Sequence, residues 1–205
     1  MRYFIITLLL VLGFSIHLQA QSHQKEIAKF QKELNKEYLS EEESPLSEED
    51  RASFKGHNFF PTDAKYRVEA KFVRTKTTKT LRMKTSSSSL QTYDKYGEAI
   101  FKIDDKRYKL TIYQSHSLRK TKEYKNYLFL PFTDLTSGNE TYGGGRYIDL
   151  TIPKGKKGTI IIDFNKAYHP YCAYSDKYSC PIPPRENRLN VKIEAGVRNL
   201  EEGMH

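Results

Sequence analysis

The chain has 205 residues, a formal net charge of +9 and 38% hydrophobic residues, with fifteen tyrosines, two cysteines and no tryptophan. That length fits one ordinary domain with a real core and argues against several. The lysines are spread along the chain between threonines, so the charge reads as a solvated basic surface, with an anionic polymer or membrane surface as the alternative.

The N-terminus opens Met1-Arg2 and continues with an apolar run from Tyr3 to Ile16. The run is shorter than the roughly 20 apolar residues a membrane span needs. A basic start, a short apolar stretch and then small or polar residues form the pattern of a secretory signal peptide. Ala20 is the expected residue before the cut and Gln21 the mature start, which leaves one globular domain over 21–205. The protein is therefore expected to be exported, periplasmic or extracellular, and not transmembrane after cleavage. An exported protein is a poor partner for nucleic acid.

Ile27, Phe30, Leu34 and Tyr38 recur at helical spacing, which predicts an amphipathic helix over 23–39. Ser47 resembles an N-cap, with Glu48, Glu49 and Asp50 in the first turn of a short helix ending before Gly56. Phe54, Phe59 and Phe60 are expected to seal that helix against a sheet.

From Lys65 the period becomes two. Tyr66, Val68, Ala70 and Phe72 alternate with charged residues, as in a half-buried antiparallel strand. Leu81 and Met83 continue the alternation, and Ser86 to Ser89 reads as a turn. Ala99, Phe101 and Ile103 face Tyr108, Leu110 and Ile112 across Asp104-Asp105, a hairpin without the preferred glycine. Tyr127 to Phe132 predicts an apolar strand stopped by Pro131. Ile148, Leu150 and Ile152 predict another. Ile160, Ile161 and Ile162 in sequence suggest a central strand covered on both faces, and Leu189, Val191 and Ile193 a closing strand. The tail after Gly196 is expected to fray. The fold class is mostly β (α+β): an antiparallel β-sandwich or a partly closed barrel, with one or two N-terminal helices.

Two loops carry the candidate chemistry. Residues 133–146 hold four glycines and end on Arg146. Backbone amides there can cradle an anion that Arg146 would pair, or Arg146 can bond a buried carboxylate such as Asp163. Residues 163–188 form a long loop with four tyrosines, too aromatic for disorder. Cys172 and Cys180 read first as a disulfide in an exported chain. A metal site on His169, Cys172 and Cys180 is a sharper alternative, but the spacing is not a standard zinc pattern, and no metal or cofactor is assigned. The Cys-x-x-Cys spacing of a redox pair is absent.

The strings PFTDLTSGNETYGGGRYIDL (131–150) and IDFNKAYHPYCAYSDKYSCPIPPRENRL (162–189) resemble the family called domain of unknown function 1684. A weaker likeness reaches Ser44-Pro45-Leu46 and Phe59-Phe60-Pro61. His169 stands where that family more often has asparagine, which counts against it as a shared catalytic group, and Val197-Arg198 departs from the usual Glu-Lys ending. The resemblance implies that the two loops form one shared site or one structural knot.

The leading functional reading is a small-ligand or glycan binding module. Tyr168, Tyr171, Tyr174 and Tyr178 would offer ring faces, Arg146 and Arg188 would meet an anionic group, and Asp163, Asn165, His169, Glu186 and Asn187 would complete the candidate set. The alternatives are a hydrolase using Asp163, His169 or Glu186, and a structural protein with no ligand site.

Overall fold

The computed structural model describes residues 2–76, 80–153 and 158–199. One long helix, α1 (Arg2–Leu39), and one short helix, α2 (Glu48–Ser53), precede the strands. The strands are β1 (Asn58–Phe59), β2 (Arg67–Arg74), β3 (Thr80–Lys84), β4 (Leu90–Ile103), β5 (Lys106–Ser115), β6 (Tyr127–Phe132), β7 (Arg146–Thr151), β8 (Thr159–Asp163) and β9 (Val197–Arg198). Seven of them form one antiparallel sheet in the order β7-β6-β5-β4-β2-β8, with β3 added to β4, and β1 pairs with β9 separately. The large sheet curls into a half-barrel, the partly closed barrel of the two expected architectures.

The predicted helix over 23–39 is the C-terminal half of α1. No proline interrupts the chain between Arg2 and Leu39, and the helix runs through both segments without a break. Ser47 caps α2 by accepting from the Asp50 N–H at 3.0 Å, with three acidic residues in the first turn. Phe54 and Phe59 pack with Leu34, Tyr38 and Val197, so they seal α2 against α1 and the small sheet rather than the large one.

Asp104 and Asp105 both take positive φ, 48° and 60°, between Ile103 and Lys106. That is the backbone of a tight two-residue hairpin, and aspartate tolerates it better than most residues. β4 carries a bulge between Lys95 and Gly97, which bends the sheet. A Cβ at Gly97 would lie 2.5 Å from the Phe72 ring, so the bend needs glycine there.

The inner face of the half-barrel is filled by Val68, Ala70, Phe101, Leu110, Ile112, Leu130, Ile148, Ile160 and Ile162. The opposite face is covered where Tyr93, Tyr113, Phe129 and Tyr147 meet Cys180 and neighbouring loop residues. The second half of β5 and most of β6 are therefore buried on both faces, and in β6 this explains the continuous apolar run.

Three sequence expectations change. β8 lies at the sheet's edge, not its centre: Ile160 and Ile162 point inward while Ile161 is 40% exposed. Residues 189–193 are not a strand. Their alternation is real, with Leu189 and Ile193 buried, but their amides bond to the Thr133 carbonyl and the Asp134 carboxylate instead of a ladder. Val197 and Arg198, expected in a frayed tail, pair with Phe59 and Asn58; the tail from 200 onward lies outside the described residues.

Pro131 lies inside β6, opposite Tyr147, rather than ending it. Proline has no N–H for the ladder toward β5. The buried Asn187 side chain fills that gap. Its Oδ1 accepts from the Thr111 N–H at 2.8 Å, and its Nδ2 donates to the Thr111 carbonyl at 2.8 Å and the Pro131 carbonyl at 2.7 Å. Asn187→Ala leaves three buried backbone groups without that partner and is expected to destabilise the fold by on the order of 3 kcal/mol. Urea unfolding checks this, and a cost under about 1 kcal/mol would mean that water replaces the amide.

Candidate functional site

The first loop and the C-terminal segment close around Arg146, which is 0% exposed. Its guanidinium donates to the carbonyls of Ala195 at 2.5 Å and Ile193 at 2.8 Å and to Asp134 Oδ1 at 3.3 Å. Asp134 in turn accepts from Thr136 Oγ1 and from the Ile193 N–H. The loop's own amides are engaged as well: Gly138 and Asn139 donate to Thr141 and Thr136 carbonyls, and Gly145 to that of Tyr142. Gly145 has φ +91°, and a Cβ there would come within 2.6 Å of the Phe132 carbonyl. Arg146 therefore meets Asp134, not Asp163, and presents nothing to an anion outside.

The second loop divides. Asp163 accepts from His23 Nε2 at 2.7 Å and from the Asn165 backbone N–H at 3.1 Å, while Asn165 brackets the Asp63 backbone. Glu186 accepts from Lys95 at 2.5 Å and from the Tyr113 hydroxyl at 3.0 Å. Arg188 is exposed. His169 is buried between the Tyr142 N–H, 3.3 Å from Nε2, and the Tyr174 hydroxyl, 3.3 Å from Nδ1. Asp163, His169 and Glu186 thus each belong to a different hydrogen-bond group, and the acid/base constellation weighed for a hydrolase is not assembled. Cys172 and Cys180 are free thiols, with the Cys172 N–H donating to Cys180 Sγ at 3.2 Å, so the expected disulfide is not formed here. Among the described residues no group of three His, Cys, Asp or Glu side chains is placed to hold a metal.

The stretch 168–181 instead builds one wall of a cleft of about 630 Å³ on the outer face of the sheet. Tyr168, Tyr171 and Tyr178 come from this stretch, Tyr147 and Asp149 from β7, and Glu33 and Glu37 from α1 across the gap. Tyr171 and Tyr178 meet edge to face at 5.0 Å, and the Tyr171 hydroxyl donates to Glu37. Asp149 Oδ1 accepts from the hydroxyls of Tyr127 and Tyr168, both at 2.7 Å. Asp149 is open to solvent along the cleft, yet the protein mass around it strips part of its hydration and pushes its carboxyl above the ordinary carboxylate range. A second groove of about 620 Å³, between the β7 and β8 edges, shares Asp149 and Tyr124 with the first.

Of the expected site residues, Tyr168 and Tyr171 line the cleft, as does Cys180. Tyr174 packs behind it on Tyr38. Sequence reading missed Asp149, Tyr147, Glu33 and Glu37. In strand or helix periodicity each occupies an ordinary outward position, and only the return of the loop over that face makes the position special. The two candidate loops do meet: Thr133 accepts from the Leu189 N–H and donates to the Asn187 carbonyl, and Tyr147 pairs with Tyr168. They form a structural knot at one end and a cleft wall at the other.

The family described as "Protein of unknown function (DUF1684)" matches residues 52–198. The chain is also similar to the solution NMR structure of an uncharacterized protein from Haloarcula marismortui, at 31% identity and a TM-score of 0.70, covering 90% of this chain and 98% of that one. No curated protein matches.

Burial lowers the pKa of His169 to about 3 and that of His57 to about 4, from an ordinary 6.5, and Arg146 and His57 add repulsion at His169. Both histidines are neutral in the fold, while the unfolded chain binds protons below 6.5. Stability is therefore expected to fall as pH drops from 6.5 toward 4. Urea midpoints across that window read the slope, and His169→Asn is expected to reduce it to the part that His57 contributes. An unchanged slope in His169→Asn would assign the effect to other groups.

Proposed function

This chain belongs to the DUF1684 family, and we propose that it is an exported small-ligand binding module whose ligand seats in the tyrosine-walled cleft beside α1. The cleft carries the reading. Its volume, about 630 Å³, lies within the range of small-molecule sites, and its walls combine ring faces with a few convergent polar groups. Glycans belong to the range of ligands to test, because planar rings stack on the apolar faces of sugars.

Export is supported by where α1 is held. His23 on Asp163, Glu26 on Lys166, and the Ile27–Tyr38 stripe all follow Ala20, so a chain beginning at Gln21 keeps these contacts. Among the described residues no helix is long and apolar enough to cross a membrane. In an oxidising compartment the adjacent Cys172 and Cys180 are the natural pair to join. Burial raises the Cys180 thiol to about 12, so reaction would begin from the less buried Cys172.

Two measurements test this reading. Intact mass of the protein recovered from outside the cytoplasm is expected to match a chain starting at Gln21, less the two hydrogens of a Cys172–Cys180 disulfide. A full-length mass would remove the export claim, and a mass without the hydrogen loss would remove the disulfide. In a thermal-shift screen of glycans and small metabolites, hits are expected to weaken about tenfold in Tyr171→Ala or Tyr178→Ala, whose rings form the cleft wall. Hits indifferent to both substitutions, or a flat screen, would count against the cleft as the site.

A further inference from the structure

The chemistry of the cleft is unlike that of the chain around it. The sequence carries 34 lysines and arginines against 25 acidic residues, yet the cleft lining includes Glu33, Glu37 and Asp149 and no lysine, arginine or histidine. The cleft is also poor in hydrogen-bond donors. The Tyr168 hydroxyl donates to Asp149, that of Tyr171 to Glu37, and that of Tyr147 to the Pro181 carbonyl. Ser179 is held among Thr85, Ser87 and Ser89. What remains for a ligand is carboxylate oxygen, ring face and the hydroxyls of Tyr124 and Tyr178. Asp149 Oδ2 has no hydrogen-bond partner among the described residues, because both tyrosines donate to Oδ1.

A sugar or an anion needs donors to satisfy its oxygens, and this site has few to give. An alkylated ammonium needs none. Its charge is diffuse and weakly hydrated, so ring faces attract it through their quadrupole and a nearby carboxylate completes the field. We infer that the cleft of this protein selects organic cations, specifically alkylated ammonium groups, with Asp149 as the counter-charge and the Tyr147, Tyr168, Tyr171 and Tyr178 rings as the cage. The inference rests on the cleft being the ligand site and narrows the class of ligand.

The test uses two probes of the same shape that differ in charge, choline and 3,3-dimethyl-1-butanol, titrated into the mature protein and followed by amide NMR shifts. Choline is expected to move resonances of β7 and of residues 168–181 and to bind at least about tenfold more tightly than the neutral probe. Asp149→Asn keeps an oxygen for the two tyrosine hydroxyls and is expected to bring the two probes within about threefold of each other. Unchanged dispersion of the amide spectrum shows that the variant is folded. Equal affinity of the two probes in the parent protein would overturn the cation assignment. So would glycans shifting the cleft resonances while choline does not, and in that case the binding-module reading survives. If no cation or glycan moves those resonances, both readings fall together.

Discussion

The buried guanidinium of Arg146 is the constraint around which the rest of the molecule is arranged. A cation removed from water must be paired and hydrogen-bonded, or the fold bears a penalty of several kcal/mol. Here the pairing comes from Asp134 on the loop that precedes β7 and from carbonyls of Ile193 and Ala195, far away in sequence. Arg146 thereby fixes the path of the C-terminal segment across the mouth of the half-barrel. That path delivers Leu189 and Ile193 to the inner core and carries Val197 and Arg198 on to pair with β1. Asp134 closes the circuit by accepting from the Ile193 N–H.

Because the glycine loop is committed to this task, the surface chemistry falls to the other loop. One part of it, at Asn187, repairs the ladder between β5 and β6 where Pro131 cannot donate. Another part, 168–181, lies over the outer face of the same strands and turns an exposed sheet surface into a covered one. Cover is incomplete where α1 stands off from the sheet, and the cleft is that remaining space. Its outer wall, Glu33 and Glu37, lies before the segment matched by the family, whereas its floor at Tyr147 and Asp149 lies within it. The charge of the cleft thus depends on the helix as much as on the barrel.

Much of the fold was legible because its signals are local. Period-two runs located β2, β4, β5 and β7, and Ser47 with its acidic turn located α2. The errors share one cause. Three consecutive isoleucines look the same in an edge strand as in a central one, since only the neighbouring strand decides whether Ile161 meets protein or solvent. Pro131 looked like a stop because its rescue comes from Asn187, more than fifty residues later. Residues 189–193 alternate as a strand does, but their partners are the loop backbone at Thr133 and Leu135 and the Asp134 side chain, not a neighbouring strand. Arg146 was recognisable as special, yet a glycine-rich loop ending in arginine reads equally as an anion site or as a buried clamp. The identity of its carboxylate partner is a matter of tertiary distance.

Asp149 shows the same limit at the site itself. Between Ile148 and Leu150 it is an unremarkable outward residue of an amphipathic strand. Its chemistry is set by Tyr127, beside it on β6, and by Tyr168, which the knot brings to the edge of β7 through the paired backbones of Tyr147 and Tyr168. Two hydroxyls on one oxygen hold the carboxylate in orientation and leave the other oxygen without a hydrogen-bond partner among the described residues. Desolvation favours the protonated acid, while the two hydroxyl donors favour the anion. A cation entering the cleft would add to the second side and replace part of the hydration lost to the surrounding rings. Tyr168 would then serve twice, its hydroxyl holding the carboxylate ionised against the cost of burial and its ring offering a face to the cation.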